Sequence, residues 1–262
     1  MNVLSLFDGM SCGQIALDQL GFKVDNYFAS EIDESAIQIT KKNYPGTIHI
    51  GDVTEVDGSD LPQIDLLIGG SPCQGFTLAG KQLNFDDPRS KLFFEYVRLL
   101  EETNPKYFLL ENVRMKKEYQ DVISEHLGVE PIYINSSLVS AQNRQRLYWT
   151  NIPNIEQPKD KGITTKDILM EELENPLSEK LRWKHHTNLV TEKSACLTAG
   201  MYKGIRDGHL KDYTDTLHPI ECERLQTVPD NYTEGVPSKQ RYKMLGNGWT
   251  VDVIKHIFSN IK

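Results

Sequence analysis

Cys73 sits in the stretch Gly69–Phe76 (GGSPCQGF), between a proline and a glycine and directly after the apolar run Leu66–Ile68. A free thiol titrates at about 8.5, and nearby positive charge or backbone N–H groups turn it into a nucleophilic thiolate. Glu111 is an acid that could work beside it, and Arg144 and Arg146 are cations that could supply part of the field. Each has an ordinary reading alone: an inert turn thiol, an exposed acid, a solvated pair of arginines. A second set of residues suits a nucleoside. Glu31 could accept hydrogen bonds from ribose hydroxyls, and Asp52 is a second acceptor. The turn Asp8–Gly13 (DGMSCG) is not a full G-x-G-x-x-G, which fits a ligand without a pyrophosphate to cradle, S-adenosylmethionine better than NAD.

These residues matter because of the elements that would carry them. Apolar runs and helical spacing predict strands at Val3–Phe7, Val24–Ser30, Thr47–Ile50, Ile64–Ile68, Tyr107–Leu110, Pro131–Asn135 and Arg146–Thr150. Helices are predicted at Gln14–Leu20, Glu34–Asn43, Lys91–Glu102 and Glu118–Leu127, with a last one at Ile254–Ile261. This alternation predicts an α/β fold with a mostly parallel sheet and helices on both faces. Ligands bind such sheets at the carboxyl ends of the strands. Asp8–Gly13, Glu31, Asp52, Ser71–Gln74 and Glu111–Val113 all fall at such ends. Beyond Asn151 the rhythm breaks at Pro153, Pro158 and Pro176. Residues 1–153 together with 216–262 therefore read as one domain and 154–215 as a smaller inserted one.

Composition narrows the classes. The chain has 262 residues, enough for a sizeable core. Its four cysteines, Cys12, Cys73, Cys196 and Cys222, form no Cys-x-x-Cys pair and lie at no zinc-ligand spacing from histidine. No metal site or disulfide framework is expected, and reduced thiols point to the cytoplasm. No run of about 18 apolar residues occurs, so no membrane partner is expected. The net charge of −8 argues against a non-specific nucleic-acid coat, yet the charge is unevenly spread. Glu156–Asn175 is acidic, whereas Lys180–Lys211 is basic and interleaves Trp183, His185, His186, Tyr202 and His209, a pattern that suits phosphate contacts and also an ordinary charged face.

The motifs Ser71-Pro72-Cys73-Gln74, Glu111-Asn112-Val113 and Gln142-Asn143-Arg144-Gln145-Arg146 occur in the order found in cytosine-C5 DNA methyltransferases. The chain resembles that family in its bacterial and phage form. The likeness extends to Phe7-Asp8-Gly9, to Glu221–Gln226 (ECERLQ) and to Gly246–Val251 (GNGWTV). VLSLFDG, followed by Ser11-Cys12 in place of paired glycines, is similar to the animal de novo enzymes.

The resemblance implies a Rossmann-like S-adenosylmethionine-dependent methyltransferase fold with a small target-recognition domain. It implies that Cys73 adds to C6 of a flipped-out cytosine, that Glu111 bonds the N3/N4 edge of the base, and that Arg146 reaches toward O2. It places the cofactor among Phe7, Asp8, Gly9, Gly13, Glu31, Ile32, Asp52, Val53, Pro72, Asn247 and Trp249. Gln74–Ser90 then reads as a loop that closes over DNA, and Gln74, Lys81, Arg89, Lys203 and Arg206 are candidate DNA contacts. The implied partners are double-stranded DNA and a cognate restriction endonuclease, with the chain a monomer or a dimer. Three alternatives stay open: a tRNA cytosine-C5 methyltransferase, an inactive DNA-binding member of the fold, and an NAD-linked oxidoreductase, which leaves Ser71–Gln74 unexplained.

Overall fold

The computed structural model describes residues 1–71, 88–170, 193–200 and 217–262, and of 88–90 the backbone alone. The strands are β1 (Asn2–Leu6), β2 (Asn26–Ser30), β3 (Ile48–Gly51), β4 (Leu66–Gly69), β5 (Tyr107–Val113), β6 (Ile132–Asn135) and β7 (Gln145–Thr150). The helices are α1 (Cys12–Gln19), α2 (Glu34–Asn43), α3 (Pro88–Thr103), α4 (Lys117–Leu127), α5 (Thr165–Ile168), α6 (Pro219–Leu225), α7 (Ser238–Asn247) and α8 (Val251–Phe258). One sheet of seven strands runs in the order β3-β2-β1-β4-β5-β7-β6. β3, β2, β1, β4 and β5 run parallel to one another, and β7 is antiparallel to β5. The chain moves outward from β1 to β3 and returns on the other side of β1 as β4. That reversal is the switch point at which open α/β sheets form a crevice.

The helices and strands follow from local chemistry. β4 (LLIG) is buried along its whole length, as expected of a strand covered on both faces. α2 starts where expected because the Asp33 side chain accepts from Ser35 N at 3.0 Å and Ala36 N at 3.4 Å. α4 ends on Gly128, whose φ of 68° is left-handed. One hydrophobic cluster joins β1, β4, β5 and β7 to α3 and α4 through Leu4, Leu67, Phe93, Tyr96, Leu110, Ile123 and Trp149. The buried Trp149 indole donates to Ser124 Oγ at 3.0 Å.

Two expectations are corrected. β5 continues through Glu111 and Asn112 to Val113 because pairing with β7 extends to Val113 opposite Arg146. The last helix runs Val251–Phe258 rather than Ile254–Ile261, because Val253 N and Ile254 N already donate to Thr250 O, and α7 precedes it. Among the described residues no helix is long and apolar enough to cross a membrane.

The chain divides into two compact units. Unit 1 comprises Met1–Ile134, Gln145–Glu156 and Lys255–Lys262, and unit 2 comprises Asn135–Arg144 and Gln157–Ile254. Unit 2 is held by buried polar side chains. Glu223, fully buried, accepts from Asn231 N at 2.7 Å, Thr233 N at 2.9 Å and the Arg241 guanidinium at 2.9 Å. Gln226, also fully buried, donates to Leu245 O at 2.7 Å and Gly248 O at 3.1 Å while accepting from Thr250 Oγ1 at 2.9 Å. Gly246 lies so close to its neighbours that a Cβ there would stand 2.1 Å from the Thr198 carbonyl carbon and 2.2 Å from Ala199 N. Gly246→Ala is therefore expected to lower the unfolding free energy by about 2 kcal/mol or more in a urea titration, since backbone must move to admit the methyl group.

Candidate active site

The carboxyl ends of β1, β2, β3, β4 and β5 share one edge of the sheet in unit 1, and the turn after β1 lies at the switch point. Its backbone is left-handed at Phe7 (φ 57°), Gly9 (φ 59°) and Ser11 (φ 61°), and at each non-glycine residue this conformation costs about 1–3 kcal/mol. Side chains hold it there. Asp8 accepts from Ser5 Oγ at 2.6 Å, from Tyr27 OH at 2.8 Å and from Ser11 Oγ. Glu31 accepts from Gly9 N at 2.7 Å with one oxygen, and from Ile32 N and Asp33 N at 2.8 Å with the other. Gly13, expected in the turn, is instead inside the first turn of α1.

Asp8 as a whole is half-buried, but its carboxyl group is enclosed. Burial pushes its pKa from 3.8 to about 6; hydrogen bonds from Ser11, Ser5 and Tyr27 oppose the rise and the negative charge of Glu31 adds to it.

The adjoining strand ends carry the other nucleoside candidates. Ile32, beside Glu31, is 71% exposed, unusual for a large apolar side chain. Asp52 caps a short 3-10 turn at Val53–Glu55 through Oδ1, which accepts from Thr54 N and Thr54 Oγ1 at 2.9 Å; its Oδ2 accepts nothing among the described residues. Val53 is buried in the core.

Beyond β4, Ser71 is buried, and the Asn112 amide donates to its hydroxyl at 3.3 Å and its carbonyl at 3.5 Å. This bond fixes the backbone immediately before Pro72. Pro72, Cys73, Gln74 and Lys81 lie outside the described residues, as do Lys203, Arg206 and the side chain of Arg89. Most of the loop Gln74–Ser90 and of the basic segment Lys180–Lys211 lies outside them too.

On β5 and β7 the structure brings two candidates together. Arg146 Nε stands 2.8 Å from Glu111 Oε1, with side-chain exposures of 13% and 10%. Glu111 faces Tyr148 and Val113 faces Arg146, so the two charges are diagonal neighbours on one face. Shielded from water, the guanidinium holds the carboxylate in a fixed orientation. Arg144 is built differently. It belongs to unit 2, is 2% exposed, and donates to Leu197 O at 2.8 Å, Gly246 O at 3.1 Å and Gly248 O at 2.7 Å. Its placement is that of a clamp on the Gly246–Gly248 backbone, around Asn247 and next to Trp249, both also in unit 2. Sequence reading missed Ser5 and Tyr27, which hold Asp8, and the link from Asn112 to Ser71; the Tyr27 and Asn112 contacts depend on strand register, whereas Ser5 reaches Asp8 from three residues earlier, through the left-handed turn. Among the described residues no cluster of histidine, cysteine and acids could hold a metal ion.

Comparison with known proteins gives one consistent family. The sequence profile of the C-5 cytosine-specific DNA methylases matches residues 1–201 and 132–262. Type II methyltransferase M1.ScrFI of Lactococcus lactis subsp. cremoris is 32% identical, over 97% of this chain and 76% of that protein. Type II methyltransferase M.NlaX of Neisseria lactamica is 30% identical, over 99% of this chain and 96% of its own length. Among solved structures, the Entamoeba histolytica methyltransferase EhMeth superposes with a TM-score of 0.80 at 18% identity, covering 100% of this chain and 99% of that one, a likeness of fold.

The raised pKa of Asp8 has a testable sign. Because the folded state favours the protonated acid, its contribution to stability is complete below about pH 4 and is lost as the pH rises through about 6. The stability of Asp8→Asn relative to the unaltered chain is expected to increase across that interval and to level off above it, as read from urea unfolding at stepped pH.

Proposed function

The chain belongs to the family of C-5 cytosine-specific DNA methylases, and from that premise we propose that it transfers the methyl group of S-adenosylmethionine to C5 of a flipped-out cytosine in double-stranded DNA, through a covalent bond between Cys73 and C6. The observation that carries the reading is the enclosed Glu111–Arg146 pair beside the strand that leads into Cys73. Cytosine C5 is too electron-poor to attack a methyl donor until a nucleophile adds to C6. Cys73 supplies that nucleophile as a thiolate. Glu111 bonds the N3/N4 edge and favours protonation of the ring as the C6–S bond forms, and Arg146 steadies the charge that develops at O2. C5 then bonds the methyl carbon as the methyl–sulfonium bond breaks, its electron pair staying on the sulfur of the departing S-adenosylhomocysteine. The C5 proton is lost to base, the electrons of that C–H bond restore the ring double bond as Cys73 departs as thiolate, and the ring gives back the proton it had gained.

S-adenosylmethionine contributes an electrophilic methyl group on a sulfonium. The residues at the strand ends fit it. Ile32 offers exposed apolar surface to the adenine, and Asp52 Oδ2 is an acceptor for the adenine amino group. Glu31, already fixed by three backbone N–H groups, presents its remaining lone pairs to the ribose. Phe7, Asp8, Gly9, Gly13, Val53 and Pro72 form the rest of this site, with Asn247 and Trp249 as further contacts. Residues 154–215 act as the target-recognition domain, with Lys203 and Arg206 contacting DNA; Gln74, Lys81 and Arg89 do so from the segment after Cys73. As the recognition domain is short, few bases are read. The relatives' Type II names support a cognate restriction endonuclease acting on the same sequence. Such an enzyme works in the cytoplasm.

Base-resolution mapping of 5-methylcytosine in DNA from a methylation-free host that expresses the protein tests the reading. Methylation at one recurrent short sequence is expected, and none with Cys73→Ala, which should bind cofactor normally. Unmodified DNA from cells holding folded, cofactor-binding protein would redirect the search to RNA or to a binding role. Glu31→Ala is expected to weaken S-adenosylhomocysteine binding at least about tenfold in calorimetry, the loss of charged hydrogen bonds to two hydroxyls; an unchanged Kd would remove Glu31 from the ribose.

A further inference from the structure

Asp52 follows β3, a strand of four residues at the edge of the sheet, paired among the described residues with β2 alone, through a register that shifts at Ala29/Ser30. Such a strand fixes its last residue weakly. The chain from Asp52 onward is held from another direction, by α3. Arg98 donates through Nη2 to the Val53 carbonyl at 3.1 Å. That carbonyl's own turn partner, Val56 N, is distant at 3.4 Å, so the guanidinium is the shorter of its two bonds. Arg98 is itself braced on both sides along the helix: Nε and Nη2 reach Glu95 at 2.9 and 2.7 Å, and Nη1 reaches both oxygens of Glu102 at 3.0 and 2.9 Å. The geometry is that of a rigid fork rather than a swinging surface charge.

A second anchor lies a few residues on. Gly58 N donates to Glu102 Oε2 at 2.9 Å, and a Cβ at Gly58 would stand 2.6 Å from Glu102 Cβ. The connector therefore presses its backbone directly on α3. One carboxylate, Glu102, thus serves both anchors, receiving Gly58 N and steadying the arginine that holds Val53.

We propose that Arg98, with Glu102 behind it, is a positioning residue for the adenine end of the cofactor site: it sets the position of Asp52 through the Val53 carbonyl and so governs affinity and selectivity for the 6-amino group. This rests on the reading of Asp52 as the acceptor from that group. Arg98 touches neither cofactor nor base, so its removal acts on binding and leaves the methyl-transfer step alone.

The test measures calorimetric Kd values for S-adenosylhomocysteine and for its analogue lacking the 6-amino group, with the unaltered chain, Arg98→Leu, Arg98→Lys and Asp52→Asn, alongside kcat at saturating S-adenosylmethionine. The unaltered chain is expected to prefer the amino form about tenfold, roughly one charged hydrogen bond. In Arg98→Leu that preference should shrink toward unity by weakening of the amino form alone, with kcat retained, and Arg98→Lys, which keeps one donor for Val53 O, should recover part of it. The double variant with Asp52→Asn should be no worse than Asp52→Asn alone. If the unaltered chain binds both compounds equally, Asp52 is not the acceptor and the reading beneath this one falls. If it discriminates and both Arg98 variants discriminate equally well, Arg98 has no such role. Equal weakening of both compounds with a fall in kcat in Arg98→Leu and Arg98→Lys alike makes it a structural residue only and also overturns the inference.

Discussion

Between β1 and α1 the backbone enters the left-handed region at Phe7, Gly9 and Ser11, and two carboxyl groups keep it there. Glu31 does so by receiving Gly9 N together with Ile32 N and Asp33 N, which ties the end of β1 to the end of β2. Asp8 does so from below, gathering hydroxyls from Ser5, Ser11 and Tyr27. A parallel sheet delivers its strand ends to one edge but does not dictate the path of the loops. Here that path is set by acids whose charge would otherwise be costly to enclose, and the raised pKa of Asp8 shows that the enclosure is only partly compensated. The entry into α1 depends on this turn.

The two units use buried polarity differently. In unit 1 a contiguous apolar cluster supplies the packing and the charged groups gather at one sheet edge. In unit 2, Glu221, Glu223, Gln226 and Arg144 are buried almost completely, and each is committed to backbone groups of its own unit. Such groups are unforgiving, since loss of one partner leaves the other unsatisfied.

Much of unit 1 could be read from the chain because its signals are local. Apolar runs marked β1, β4 and β5, and α2 was legible over Glu34–Asn43, the bounds at which the structure places it. The extension of β5 through Val113 was not legible, because it depends on pairing with β7, far along the chain. Glu111 and Arg146 were legible as residues, but their 2.8 Å contact depends on that same register. Arg144 illustrates the opposite case: two positions apart in sequence, the two arginines look equivalent, while the acceptors that distinguish them lie 53 to 104 positions away from Arg144. The brace from Arg98 to Val53 was invisible for the same reason.

The direction of β7 has a consequence of its own. Because β7 opposes β5, its first residues lie beside the last residues of its neighbour, and Arg146 arrives next to Glu111 at the start of its strand. Had that segment run with the rest of the sheet, the same edge would have received Thr150, and Arg146 would stand about 13 Å away at about 3.3 Å per residue. No substitution at either position reproduces that change. The reversal of one strand thus decides which end of a six-residue segment meets the carboxylate, so polarity of the chain, as much as the identity of the side chain, selects the cation.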